Sequence, residues 1–335
     1  MSNYSLIIGC DVSKSVIDVS YQPIGVNTST YLGQLANSKD GFKEAINLLK
    51  LKTKSPTSKW FFCFENTGSY SSNLFKWLVA QGIPCKQESP IQIKLSLGLR
   101  RGKDDKTDSI SICQYAYEKR NVLVPSELEQ SAITKLKKLL SRRELLVKHR
   151  VALKISLKEQ KGNIDDDLFD LLSQDNIELI NMYDIKIKSI EANIKTIIDA
   201  DEKMENNSRL LNSVIGVGFI TSSYMIAYTN NFKAFTDAKK FACYCGVAPF
   251  PNSSGTKRGR TQVSHMANKK IKSILSNCIL SSINYDPEVK RYYKRKKEEG
   301  KATGIVLNAV KNKLLHRMFA VVKRGTPYVK LMSYA

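Results

Sequence analysis

Residues 126–206 contain no proline and only one glycine, Gly162. Because proline and glycine are the residues that most often interrupt a helix, their near absence over this length favours long helices. Charge is also separated here: residues 131–161 hold ten basic and two acidic residues, whereas residues 162–205 hold four basic and twelve acidic ones. We therefore predict two helices of opposite charge, joined by a turn at 162–167. They can fold back on each other or pair between subunits.

An apolar stripe runs along the second of these helices in steps of three and four residues, the spacing of a coiled-coil seam. Its members are Ile180, Tyr183, Ile187, Ile190, Ile194 and Ile197. Such a stripe needs a partner surface, which either the first helix or a second copy of the chain would supply. A homo-oligomer, dimer or tetramer, is therefore expected, while packing inside one chain fits the spacing equally well.

The flanking segments differ from this helical part. Residues 1–125 begin with three strand-like runs and continue with alternating helix and strand patterns, which predicts an α/β domain built on a mixed sheet. Residues 206–335 are expected to be mostly helical, with a break near 249–259. The chain is thus divided into an α/β domain (1–125), a helical coiled-coil spacer (126–205) and a basic, mostly helical domain (206–335).

The distribution of basic residues indicates which kind of molecule the chain binds. The net charge is +22, and residues 206–335 alone hold 23 basic residues against five acidic ones. An excess concentrated in one third of the chain is typical of binding to nucleic acid. The seven cysteines lack the spacing of a zinc site or a disulfide framework. No apolar stretch approaches membrane-spanning length, so a cytoplasmic protein without a membrane partner is expected.

Four acidic residues occupy positions from which a metal site can be built. Asp11 and Glu65 each end an apolar strand, and Asp105 and Asp108 lie three residues apart at a helix start, hence on one face. Carboxylates from strand ends and a helix are the oxygen ligands that Mg²⁺ prefers in sites that activate phosphate chemistry. Taken singly, each also has a local explanation as a helix cap, a turn residue or a solvated strand end.

Three strings carry a resemblance: residues 9–14 (GCDVSK), 65–70 (ENTGSY) and 103–109 (KDDKTDS). They resemble the signatures of insertion-sequence transposases with a RuvC-like DEDD domain, a family that includes Piv-type DNA invertases and bridge-RNA-guided recombinases. Residues 215–218, 241–249, 254–255 and 263–275 are similar to the serine-bearing domain of that family. The resemblance thus covers nearly the whole chain and implies an RNase H-like first domain.

The family's site residues can be transferred position by position. The resemblance implies that Asp11, Glu65, Asp105 and Asp108 are catalytic metal ligands for Mg²⁺ or Mn²⁺, and that Ser254 is the nucleophile. Three positions depart from the family pattern: Asp104 replaces a common threonine, Ala267 a glycine and Lys272 an arginine. The first leaves open whether Asp104 is also a ligand.

A serine nucleophile is chemically reasonable here. A hydroxyl that attacks a phosphodiester forms a phosphoserine link, from which a second DNA hydroxyl can reseal the strand without ATP. Gly255 follows Ser254, and the nearby cations Lys257, Arg258 and Arg260 are suited to holding phosphate oxygens. A Ser-Ser-Gly segment is otherwise an ordinary loop, so its role rests on the resemblance.

Further positions are predicted to contact nucleic acid. Gly216 and Gly218 resemble the hairpin of helix-hairpin-helix modules, whose backbone N–H groups contact phosphates, although a plain helix-start turn explains them equally. A basic helix contributes Lys269, Lys270 and Lys272. The run 292–297 (YYKRKK) mixes aromatic and basic residues and suits backbone contact and stacking.

Together these features predict a transposase or site-specific recombinase. The resemblance implies donor and target DNA as substrates and a structured guide RNA encoded by the element. Two alternatives remain open: a hydrolytic, structure-selective DNA nuclease that uses the same carboxylates with water, and a non-enzymatic nucleic-acid-binding protein whose carboxylates are structural.

Overall fold

The computed structural model describes residues 4–96, 104–128, 130–250, 253–254, 257–259, 262–264 and 267–329, and at 253–254, 257–258 and 262 the backbone alone. The chain forms two compact units, residues 1–128 and 129–335. Within the described ranges no helix is both long enough and apolar enough to cross a membrane.

The first unit is an α/β structure around a five-stranded sheet. In chain order its elements are β1 (Leu6–Val12), β2 (Val16–Pro23), β3 (Thr30–Ala36), α1 (Lys39–Thr53), β4 (Trp60–Glu65), α2 (Ser69–Ala80), β5 (Cys85–Glu88), α3 (Pro90–Ser96) and α4 (Asp105–Lys119). The strand order is β3-β2-β1-β4-β5. Strands β1, β2 and β3 pair antiparallel, and β1, β4 and β5 pair parallel. This is the RNase H-like arrangement, which confirms the predicted fold class.

Helices cover both faces of this sheet, which explains why β1 and β4 are continuous apolar runs rather than alternating ones. On one face, Leu6 and Ile8 of β1 pack with Phe42 of α1 and Leu74 of α2. On the other face, Ile7 of β1 packs with residues of β4 and α4, namely Phe61, Cys63, Ile112, Cys113 and Ala116. The central strands are thereby held rigidly on both sides.

One glycine sets the distance between α4 and β1. A Cβ atom on Gly9 would lie 2.6 Å from the Ser109 backbone oxygen, closer than any real side chain can approach. The contact is reinforced by the buried hydroxyls of Ser20 and Ser109, whose oxygens are 2.7 Å apart. The start of α4 is consequently held against the end of β1, where Asp11 lies.

The second unit is helical. Its helices are α5 (Ser131–Gln160), α6 (Asp166–Asp199), α7 (Glu202–Asn212), α8 (Phe219–Tyr228), α9 (Ala238–Tyr244), α10 (Lys269–Tyr285), α11 (Pro287–Glu298) and α12 (Thr303–Arg324). The described residues between α9 and α10 include four two-residue strands: β6 (Pro249–Phe250), β7 (Ser253–Ser254), β8 (Lys257–Arg258) and β9 (Gln262–Val263). Residues of α5 and α6 share one hydrophobic core with α7 to α12. The spacer and the C-terminal segment, expected as separate parts, therefore form one compact unit.

Helices α5 and α6 fold back on each other, which is one of the two arrangements that the sequence left open. Arg143 Nε lies 2.7 Å from Glu191 Oε1, and Arg150 pairs with Asp184, so the helices run antiparallel. In the isoleucine stripe, Ile180, Ile187 and Ile194 are buried, whereas Tyr183, Ile190 and Ile197 are half-buried. The buried half of the stripe thus already has a partner surface within the same chain.

Candidate metal centre and serine segment

Three of the predicted carboxylates come together. Asp11, Asp105 and Asp108 each offer a carboxylate oxygen, and these oxygens lie within 4.8 Å of one another. Asp11 is near the end of β1, while Asp105 and Asp108 lie in the first turn of α4. Acidic side chains are favourable there because the N-terminus of a helix carries partial positive charge. The gathering depends on the close packing of α4 at Gly9.

The negative charges of these three carboxylates favour the binding of a cation. Burial, followed by the negative charges of Asp108 and Asp105, raises the pKa of Asp11 to about 6. A divalent ion would remove this repulsion, and all three groups are the hard oxygen ligands that Mg²⁺ and Ca²⁺ take. The three carboxylates therefore offer the kind of ligand that a divalent metal requires.

Glu65 and Asp104 lie beside this group without belonging to it. Cys10 and Phe64 are the last paired residues of the parallel strands β1 and β4, so Asp11 and Glu65 are each the next residue along. The carboxylate of Glu65 is nevertheless not among the three that converge in the described part of the chain. Asp104 is the N-cap residue of α4 and accepts a 3.4 Å hydrogen bond from Thr107 Oγ1. Its side chain is likewise outside the cluster, and both ligand assignments stay predictions.

Sequence reasoning missed a buried carboxylate next to the site. Asp18 is only 4% exposed and pairs in register with Asp11 across β1 and β2. It accepts hydrogen bonds from Tyr31 Oη (2.6 Å) and Gln34 Nε2 (3.1 Å). Burial and the bond to Asp18 raise the pKa of Tyr31 to about 12. An isolated aspartate within a strand carries no sequence signal, since only the pairing of β1 with β2 reveals its proximity to Asp11.

A second missed acidic residue is Glu88, which ends β5. It pairs in register with Glu65 on β4. Its carboxylate accepts hydrogen bonds from Tyr115 Oη (3.1 Å) and from its neighbour Ser89 N (2.9 Å). The strand before Glu88 reads CKQE and lacks the apolar run that selected Asp11 and Glu65, so only the pairing of β4 with β5 reveals the position of Glu88. The carboxyl ends of three adjacent parallel strands thus each carry an acidic residue.

The serine segment consists of two small antiparallel strand pairs. Ser254 pairs with Lys257, and Ser253 with Arg258, while β6 pairs with β9. The predicted nucleophile is thus directly opposite a basic residue in backbone register, and only two residues separate them in sequence. Arg260, also predicted to hold phosphate, lies outside the described residues.

The lysines predicted to bind nucleic acid lie in the first turn of α10. Lys270 Nζ is 2.9 Å from Glu144 Oε2 of α5, and this hydrogen bond raises the pKa of Lys270. Lys269 is exposed. Lys272 is close enough to Lys311 to lower the pKa of Lys311, although burial of Lys311 is the larger cause. One of the three lysines thus already has an acidic partner within the chain.

Gly216 and Gly218 lie in the connection between α7 and α8. Gly216 has a positive φ of 90°, and a Cβ there would lie 2.7 Å from the Cys278 carbonyl oxygen and would also meet Ser282 Oγ. Ser282 Oγ in turn donates a 2.8 Å hydrogen bond to the Ile215 carbonyl. Gly216 is therefore required for packing against α10. Gly218 is exposed at the N-cap of α8, and the contact of either glycine with phosphate stays a prediction.

The aromatic and basic run on α11 forms a cluster around one ring. The cationic groups of Arg295, Lys296 and Lys313 lie 5.6, 5.9 and 5.0 Å from the centre of the Tyr292 ring. Lys296 Nζ is also 2.8 Å from Glu299 Oε1, and Lys313 Nζ is 2.7 Å from Glu288 Oε1. Much of this positive charge is therefore balanced locally.

Several known proteins are similar to this chain. A pilin gene-inverting protein of Moraxella bovis is 24% identical over 332 residues, which covers 96% of this chain and 97% of the relative. A 43.6 kDa protein of insertion element IS110 from Streptomyces coelicolor is 25% identical over 179 residues, covering 50% of this chain and 44% of that protein. Among solved structures, Thermus thermophilus RuvC is 12% identical, with coverage of 36% of this chain and 99% of RuvC and a TM-score of 0.27.

Two family models also match the chain. The first lies mostly in the first compact unit, and the second lies in the second unit. The IS110-type DEDD model, described as a transposase, matches residues 8–160, which include the four predicted carboxylates. The model described as "Transposase IS116/IS110/IS902 family" matches residues 208–294, which include Ser254. The two matches together cover 240 of the 335 residues, and both are to transposases of the IS110 type, which supports an enzyme that cuts and recombines DNA.

Proposed function

We propose that this transposase cuts and rejoins DNA strands through a covalent phosphoserine intermediate. The observation that carries the proposal is the convergence of Asp11, Asp105 and Asp108 within 4.8 Å, since hydrolysis and transfer of phosphodiesters are typical reactions at such carboxylate sites. Glu65 is the fourth proposed ligand because it occupies the position beside Asp11 on the adjacent parallel strand. A bound Mg²⁺ or Mn²⁺ would stabilise the negative charge that develops on the phosphate and its leaving oxygen.

The proposed role of Ser254 is nucleophilic. Its Oγ forms a bond to phosphorus, the bond from phosphorus to a deoxyribose oxygen breaks, and the serine proton ends on that oxygen. In the second step a hydroxyl of another DNA end attacks the phosphoserine, and Ser254 Oγ leaves with a proton. Each bond broken is replaced by one of the same kind, so the exchange needs no ATP. The backbone register of Ser254 with Lys257 supports a cation near the phosphate.

Rejoining, rather than hydrolysis alone, is supported by the relatives. A protein named for inverting the pilin gene must reseal the strands that it cuts, and the Moraxella protein is similar over almost its full length. We further propose that a structured RNA encoded by the element selects donor and target DNA, and that the active enzyme is a homo-oligomer, a dimer or tetramer. The carboxylates and the serine would then act on one phosphate, within one subunit or between two.

The remaining predicted residues are proposed to hold nucleic-acid backbone. The exposed position of Gly218 at the N-cap of α8 and the conformation of Gly216 suit phosphate contact at the start of that helix. Lys257, Arg258, Arg260, Lys269 and Lys272 would add charge near the serine segment, while Lys270 would first have to leave Glu144.

Trapping the covalent adduct tests the serine assignment. The intact protein is incubated with divalent metal and a nicked suicide DNA substrate, digested with protease, and the DNA-linked peptide is identified by mass spectrometry. We expect the adduct on Ser254, its loss in Ser254→Ala, and its retention in the matched variant Ser253→Ala. Cleavage without any adduct would favour the hydrolytic nuclease, and an adduct on Ser253 or Tyr244 would reassign the nucleophile.

A further inference from the structure

A groove runs along one edge of the α5–α6 pair. It consists of two successive hollows, of about 450 and about 380 Å³. Lys135, Lys138 and Leu139 of α5 line the first hollow, and Arg142, Leu146 and His149 line the second. Apart from the neighbours Lys138 and Leu139, successive positions are three or four residues apart, so they form one continuous edge of α5.

The two edges of this helix pair differ in charge balance. On the opposite edge, Arg143 and Arg150 are paired with Glu191 and Asp184 of α6. Along the groove the cations are Lys135, Lys138, Arg142 and Lys186. Among the described residues that line it there is no carboxylate, and none of these four cations has an ion pair within the described ranges.

This arrangement creates a line of unbalanced positive charge. From Lys135 to His149 the helix rises about 21 Å. One strand of B-form DNA places a phosphate every 3.4 Å or so along its axis, so about six phosphates span that length. Like charges held in a row repel each other, and a polyanion of matching length removes that repulsion while releasing its own counterions.

The floor of the groove is partly covered. Tyr183, Ile190 and Ile197 are already half-buried by the packing of α5 on α6. The rings of Tyr183 and His149 meet edge to face, 5.9 Å apart. A second helix would need an exposed apolar stripe here to pack as a coiled coil, and Met182 is the only exposed large apolar side chain among the described residues that line the groove. A sugar–phosphate strand needs only the cationic rim and a shallow floor.

We propose that this groove binds one sugar–phosphate strand of the DNA substrate. The inference rests on DNA as the substrate of the family, but not on Ser254 or on the metal ligands. The groove contributes to DNA affinity and takes no part in the cleavage reaction. A variant that binds DNA more weakly through the groove should therefore still cleave DNA at a saturating concentration.

The test compares two double variants of the full chain that carry the same charge change. Lys138→Gln with Arg142→Gln alters the groove, and Lys154→Gln with Lys188→Gln alters the opposite edge, where both lysines lie near Asp184. Glutamine has a helix propensity close to that of lysine and arginine, so the fold is preserved. Affinity for duplex DNA, single-stranded DNA and an RNA hairpin is measured between 50 and 200 mM salt.

We expect the groove variant to bind DNA roughly tenfold more weakly, with the slope of log affinity against log salt reduced by about 2, since each lost phosphate contact removes about 0.9. The opposite-edge variant should bind like the unaltered protein. Photo-crosslinks from iodouracil-containing DNA should map to Tyr183 or His149. Equal losses in both variants, no loss in either, a loss for RNA alone, or a changed oligomeric mass in the groove variant would each overturn the proposal.

Discussion

Asp11 and Asp18 are directly paired across the antiparallel strands β1 and β2, so a buried carboxylate lies beside the residue at the centre of the metal site. Asp18 is held by Tyr31 and Gln34, whereas Asp11 faces Asp105 and Asp108. Negative charge therefore surrounds Asp11 from both the sheet and the helix. The protonation of Asp11, and with it the stability of the fold, should therefore depend on pH and on bound metal.

The stability of the metal-free protein should increase as pH falls through about 6. The pKa of Asp11 is raised to about 6 in the folded chain from an ordinary value of 3.8, so the folded state takes up a proton before the unfolded state does. The Asp11→Asn variant should be more stable than the unaltered protein at pH 8, by on the order of 1 kcal/mol after allowance for solvent screening of this half-exposed group. The difference should disappear near pH 4.

Urea unfolding between pH 4 and pH 8, with EDTA present, measures this effect. Added Mg²⁺ should reverse the order at pH 8, because only the unaltered protein keeps the full ligand set. A difference that does not change with pH would contradict the electrostatic explanation.

Removal of a proposed metal ligand should abolish cleavage without abolishing DNA binding. We expect Asp11→Ala and Asp108→Ala to reduce strand cleavage more than about 100-fold, since even the outer partners of metal ligands contribute about 10–100-fold. Glu65→Ala should match them if Glu65 is a ligand. Asp40→Ala is a suitable control, because Asp40 is exposed on α1, which packs on the face of the sheet opposite to α4. Normal cleavage by Asp11→Ala in Mg²⁺ would refute the metal site.

Gly9→Ala should disturb the metal site by displacing α4. The added Cβ has no room against Ser109 and Cys113, so α4 must move away from β1 and carry Asp105 and Asp108 with it. Overpacking of this kind costs about 1–3 kcal/mol. Thermal unfolding and metal affinity should therefore both fall. Gly304→Ala in α12 adds a Cβ in open space and serves as the control, with no loss of either expected.

A buried ion pair should stabilise the second unit. Arg317 Nη1 of α12 lies 2.6 Å from Asp286 Oδ2, and Asp286 is only 2% exposed while it also caps α11. Arg317→Met leaves that carboxylate buried without its cation, which costs about 3–5 kcal/mol. Lys313→Met should cost less than about 1 kcal/mol, because Lys313 is more exposed and its partner Glu288 keeps the contact with Arg317. Chemical denaturation distinguishes the two variants.

Local patterns predicted much of the first unit. The helix start expected at Asp105 is the first residue of α4, and the three strand-like runs expected at the beginning of the chain are β1, β2 and β3. The buried runs at β1 and β4 were equally clear, since strands covered on both faces are continuously apolar. These elements are determined by nearby residues, which is why sequence alone suffices for them.

Other features depend on contacts distant in sequence. The proximity of Asp18 to Asp11 requires the register of β1 with β2, and helix α3 has no strong periodic pattern. The short strands between α9 and α10 contain only two residues each, too few for any period to be visible. That the spacer shares a core with the C-terminal helices follows from packing of Ile133 and Ile198 against residues beyond 206, which no local pattern reveals.

The shared core has a mechanical consequence. Helix α6 is 34 residues long, about 51 Å, yet its buried residues extend only from Ile180 to Ile198. The far end of the α5–α6 pair is thus the free arm of a lever, and the base of this lever packs on α7 and α8. Force applied to the free arm by DNA or by another subunit would therefore reach the rest of the second unit through this packed base.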